Sequence, residues 1–212
     1  MGLRDSSHGM INSNASMRTP IAEDLESDLD DSQTQKILEI FDKVGLSEWL
    51  VSNPFKKIKL TSKVYTQINH DFIEVNGLYS YQTMKAEIAT SRDTTEYGHS
   101  LDWGRIDKIS HTGRTALEAV QFTALHETGH HIHAVLRYLN KLQFVMTMNP
   151  VRSNAVSNYA KVASPIEYFA ETFAAWILYR TESLIFDNTG YGMIGRALEA
   201  VALRVGEYDF NP

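Results

Sequence analysis

The feature that most constrains this chain is His126-Glu127-Thr128-Gly129-His130, an HExxH pentapeptide set in a run whose spacing predicts one long helix over about 114–140. Residues four apart on a helix share a face, so His126 and His130 can grip one divalent metal ion from the same side. Glu127 is rotated off that line. From there it can reach a water on such an ion and act as general base. Phe122, Leu125, Gly129, Ile132 and Leu136 recur as a stripe that predicts a core-facing side, leaving the helix half buried with its ligands at a cleft edge. A glycine inside a helix costs about 1 kcal/mol relative to alanine. On the packed stripe Gly129 has a use: a second backbone can come close, and that segment is expected to carry a further ligand.

A catalytic zinc has three protein ligands and one open position. The chain has no cysteine. This excludes a disulfide framework, a thiol nucleophile and thiolate-bound zinc, and leaves a carboxylate as the simplest third ligand. Ser164-Pro165-Ile166-Glu167 has the form of a helix start, with serine at the cap and proline in the first turn. Ile166, Phe169, Ala170, Phe173 and Ile177 make the apolar face of that helix, and Glu167 and Glu171 share another. Either glutamate can be the ligand. Ser164-x-x-Glu167 is also a capping box, in which the glutamate bonds the cap N–H. Glu171 also reads as an exposed helix residue. Spacing does not rank them; one can bind the metal while the other holds a histidine ring N–H and fixes its tautomer.

His126 to His130, followed by Glu167-Tyr168-Phe169-Ala170-Glu171-Thr172-Phe173-Ala174, resembles the gluzincin metallopeptidases, and within them the catalytic domain of anthrax toxin lethal factor and the Pro-Pro endopeptidases. The resemblance spans roughly 65–180, with firm motifs only at the two helices. It implies an α+β, zincin-like fold: a small mixed sheet packed on the metal-binding helix, and a mostly helical C-terminal half. It implies zinc on His126, His130 and Glu167, with Glu171 behind the ligands. It also implies two catalytic groups, Glu127 as base and Tyr159, in Asn158-Tyr159-Ala160, facing the oxyanion. The function implied is a zinc-dependent metalloendopeptidase acting on a peptide or protein substrate. Two alternatives stand beside it: a catalytically dormant, zinc-stabilised module of a larger assembly such as a phage particle, and a protease that processes its own N-terminal segment. His131 is expected to be structural or exposed. His133 does not fit the three-histidine zincin pattern and is not expected to bind metal.

The chain of 212 residues fits one domain. Residues 1–31 are polar and then acidic and read as a flexible or linker-like segment; 32–212 read as the metallopeptidase domain. A helix is expected over 32–44, stopped by Gly45, and strands over 57–61 and 63–68. Asn76-Gly77 has the form of a hairpin turn. Alternation over 79–90 predicts a strand with one wet face, placed to be the cleft edge. A glycine-containing loop over 91–112 carries His99 and His111, both expected at the surface. A last helix is expected over 193–205. The formal charge of -6, with no basic stripe, argues against a nucleic-acid partner. No apolar run approaches the roughly 20 residues of a membrane span. No secretory signal is visible near the N-terminus, which leaves a cytoplasmic or virion-associated location open.

Overall fold

A computed structural model describes residues 21–90, 116–145, 160, 163–178 and 188–204. In chain order the elements are β1 (Leu25–Ser27), α1 (Asp31–Lys43), α2 (Ser47–Ser52), β2 (Lys57–Thr61), β3 (Val64–Ile68), β4 (Asp71–Val75), β5 (Gly77–Ser80) and β6 (Lys85–Ala89). Then come α3 (Ala116–Tyr138), α4 (Leu142–Val145), α5 (Pro165–Leu178) and α6 (Asn188–Ala200). The fold is α+β, as the sequence predicts, with the described strands in the first half and helices filling the second.

The first helix starts where its chemistry dictates. Asp30 accepts a hydrogen bond from the Gln33 N–H at 2.8 Å, capping α1, and Gly45, at φ 73°, takes the left-handed turn that follows its end. Ile37, Ile40 and Phe41 form its buried side.

Four strands make one mixed sheet in the order β1-β2-β6-β5. The pairs β1–β2 and β2–β6 are parallel, and β5–β6 is antiparallel. β3 and β4 form a separate antiparallel hairpin, turned at Asn69 and His70, which both carry positive φ. This pair of residues, rather than Asn76-Gly77, makes the hairpin turn. Gly77 instead opens β5.

Two further expectations change. The acidic stretch contains β1, whose Leu25, Glu26 and Ser27 pair with Ile58, Lys59 and Leu60. The folded unit therefore begins before residue 32, within the segment expected to be linker-like. The strand predicted over 79–90 is two strands, broken by a turn at 81–84 in which Met84 takes φ 52°. β6 is paired on both sides, so it is not the cleft edge; that place belongs to β5.

The core explains the placement of α3. Ile58, Leu60 and Ile88 of the sheet join Leu125, Ile132 and Leu136 of α3 and Phe169, Phe173 and Ile177 of α5 in one apolar cluster. Burying each such side chain contributes roughly 1.5–3 kcal/mol. With the sheet on one side and α5 on another, α3 is buried nearly all round rather than on one face. Its hydroxyls turn inward: Thr128 Oγ1 donates to the Ala124 carbonyl at 2.7 Å. Among the described residues no helix is long and apolar enough to cross a membrane.

Candidate metal centre

Two helices converge because one of them has a glycine. A Cβ built at Gly129 would lie 2.8 Å from Ala170 Cα, so only glycine lets the backbones of α3 and α5 meet there. Ala170 stands between Glu167 and Glu171, and the close approach brings both carboxylates to the histidines. The approaching backbone is the one that carries the acidic residues, as the stripe position of Gly129 predicts.

His126 Nε2 and His130 Nε2 are 3.1 Å apart, and Glu167 Oε2 lies 3.2 Å from the first and 3.3 Å from the second. Among the described residues these three form the group able to hold a metal ion. A tetrahedral zinc with bonds of about 2.0–2.1 Å sets its ligand atoms roughly 3.3 Å apart, so the triangle fits that ion. The donor set of two imidazoles and one carboxylate fits it as well. The capping alternative resolves as a division of labour. Ser164 Oγ accepts from the Glu167 N–H at 3.3 Å, while the Glu167 side chain turns to the histidines.

Glu171 stands on the far side of the His126 ring, with Oε1 3.0 Å from Nδ1. The contact lies off the N–H axis, so its attraction is that of an ion pair rather than an aligned hydrogen bond. His130 Nδ1 meets the Tyr81 hydroxyl at 2.9 Å. Both rings thus turn Nε2 toward Glu167 and are held at Nδ1.

Glu127 lies beside the cluster, 3% exposed, and its Oε2 has no hydrogen-bond partner among the described residues. Burial raises its carboxyl to about 8; the His126 ring opposes that shift, and Glu167 and Glu171 add to it. For Glu167, burial acts to raise the pKa, but the two histidines outweigh it and hold the carboxyl well below the usual range. Burial likewise acts against a charged His126, yet the hydrogen bond its Nε2 donates to Glu167 and the contact with Glu171 leave that ring easier to protonate than usual. Burial dominates at His130 and lowers it.

Gly77 makes room for Glu127. A Cβ there would fall 2.2 Å from Glu127 Oε1. A cleft of about 420 Å³ opens over the cluster, lined by Tyr81, His126, Glu127, His130, Glu167 and Glu171 among others.

The other predicted positions separate cleanly. His131 is fully buried; its Nδ1 meets Tyr79 Oη at 2.8 Å and its Nε2 meets the Asn53 carbonyl at 2.8 Å. Burial pushes it down to about 4, so it stays neutral. His133 is buried against Tyr81 and Phe169, outside the ligand triangle. Tyr159, His99 and His111 lie outside the described residues. Sequence reasoning missed Tyr79 and Tyr81. The signal available was Gly77-x-Tyr79-x-Tyr81, whose period of two places all three on one face of an extended strand.

No family model matches the chain, and no curated protein does. Among solved structures, the crystal structure of a candidate zinc-binding metallo-peptidase from Bacteroides caccae is similar at 15% identity and a TM-score of 0.39, over 87% of this chain and 77% of that one.

Proposed function

We propose that the protein is a zinc-dependent metalloendopeptidase of the gluzincin type. One observation carries the reading: a buried carboxylate, Glu127, is held over the same cleft as the ligand triangle yet contributes nothing to it. A site that only stabilises a fold has no use for such a group. His126, His130 and Glu167 hold the ion, and Glu171 steadies His126. Bound zinc supplies Lewis acidity and a water of lowered pKa.

Glu127 accepts a proton from the attacking water and returns it to the leaving amine. Its dry setting raises the carboxyl above the usual range, which makes the ionised group a stronger proton acceptor. Tyr159 carries the oxyanion role that the gluzincin motif gives it. Among the described residues β5 is paired only with β6, so an extended peptide can add along its other side.

The test is a peptide-library digest with the zinc-loaded protein, the same protein after chelation, and Glu127→Gln. Cleavage should stop on chelation and return with zinc. Glu127→Gln should hold zinc and not cleave. Cleavage that survives chelation overturns the zinc chemistry. A wild-type protein that holds zinc and cuts nothing points to the dormant module. Mass of the purified chain over time tests self-processing.

A further inference from the structure

The two imidazoles of the triangle are held from behind by different chemistry. His126 Nδ1 faces a carboxylate, Glu171, from α5. His130 Nδ1 faces a neutral hydroxyl, Tyr81 Oη, from the end of the sheet's edge strand. Tyr81 follows β5 directly and lies two residues past Tyr79, so strand alternation carries both phenols to α3. Its ring is fixed in turn, edge-on to Tyr79 at 5.0 Å, to His130 at 5.9 Å and to His133 at 5.7 Å between centroids.

We propose that Tyr81 is a positioning residue for the metal: its hydroxyl orients the His130 ring with Nε2 toward the ion in both the metal-free and the metal-bound protein. The proposal rests on the zinc reading above.

The argument is one of donors and acceptors. A hydroxyl does both, whereas an ionised carboxylate only accepts. When His130 Nε2 gives its lone pair to a metal, Nδ1 carries the ring proton and donates to Tyr81 Oη. In the metal-free protein Nε2 stands 3.3 Å from Glu167 Oε2. There Nε2 carries the proton toward that carboxylate, and the Tyr81 O–H donates to Nδ1. The ring changes tautomer without rotating, and its back nitrogen keeps a partner throughout. His130 is only 5% exposed, so little solvent reaches the ring to replace a lost hydroxyl. Outer partners of this kind are worth about 10–100-fold in metal affinity.

The experiment uses the full chain and zinc itself. Zinc affinity is measured by competition with a chromophoric chelator for wild type, Tyr81→Phe and Tyr79→Phe, together with the Tm of each metal-free protein. Exchange of the His130 Nδ1 proton in the zinc-loaded form is followed by NMR. Tyr81→Phe should bind zinc about 10–100-fold more weakly and exchange that proton faster. Its metal-free Tm should stay within about 3 °C of wild type. Tyr79→Phe should keep zinc affinity within about twofold. If Tyr81→Phe binds zinc as wild type does, or loses affinity only in step with its Tm, the proposal is overturned. If wild type binds no zinc, the proposed function itself has failed, and the wild-type arm alone reveals that.

Discussion

His130 and His131 are adjacent on one helix, both buried, and each has its Nδ1 against a tyrosine hydroxyl from the same strand end. Their second nitrogens part company. His130 Nε2 meets His126 Nε2 and Glu167 Oε2 at the floor of an open cleft. His131 Nε2 donates to the Asn53 carbonyl, and the ring is stacked on Phe55 at 4.2 Å with Trp49 edge-on at 5.9 Å. The lesson is that residue type and burial do not assign a histidine its role. A ring whose two nitrogens both end in protein partners is closed and holds the fold together. A ring whose second nitrogen meets another imidazole and a carboxylate at a cleft is placed where a cation could bind.

The largest expected effect tests the open side. Glu127→Gln should lower peptide cleavage by about 10³-fold or more while zinc content stays at wild-type level, read by steady-state rates and metal analysis. Gly77→Ala comes next. Its Cβ would land on Glu127 Oε1. Displacing the base should cost roughly 10–100-fold in rate with zinc retained.

The closed side is tested by exchanging the roles of the neighbouring rings. His131→Ala should remove about 3 kcal/mol of stability in denaturant melts of the metal-free protein, through a cavity and stranded partners, yet leave the zinc stoichiometry intact. His130→Ala should do the reverse, abolishing stoichiometric zinc. Should His131→Ala lose zinc while folded, the contrast between the two rings collapses. The smallest effect belongs to Tyr79→Phe, which removes one buried hydroxyl and should cost about 1 kcal/mol.

Much of this was legible in the residues because it rests on short-range periodicity. HExxH at positions 126–130 and the two glutamates four apart needed only the helical repeat to read as candidates for one site, though that repeat left Glu167 and Glu171 unranked. The start of α5 followed from Ser164-Pro165, and β2 from the alternation around Ile58 and Leu60. What escaped depended on distant partners. β1 is three residues long with no periodic signal, and it becomes a strand because β2 accepts it in parallel register. The break between β5 and β6 sits in a stretch whose alternation runs on through it, and the left-handed Met84 gives no compositional warning. Asn76-Gly77 has the composition of a turn, but Gly77 is needed for the space above Glu127. Tyr79 and Tyr81 look like ordinary strand aromatics until α3 lies beneath them.

The contact at Gly129 has one more consequence. The gap between the HExxH helix and the Glu167 helix is gauged by main-chain atoms, with Ala170 Cα and carbonyl oxygen where a side chain would otherwise intrude. Side-chain exchanges elsewhere in the interior can be absorbed by neighbouring rotamers without changing that spacing. Evolution is thus free to rewrite most of the packing around this site, but position 129 must stay glycine, because the Cα and carbonyl oxygen it meets are there whatever residue stands at 170.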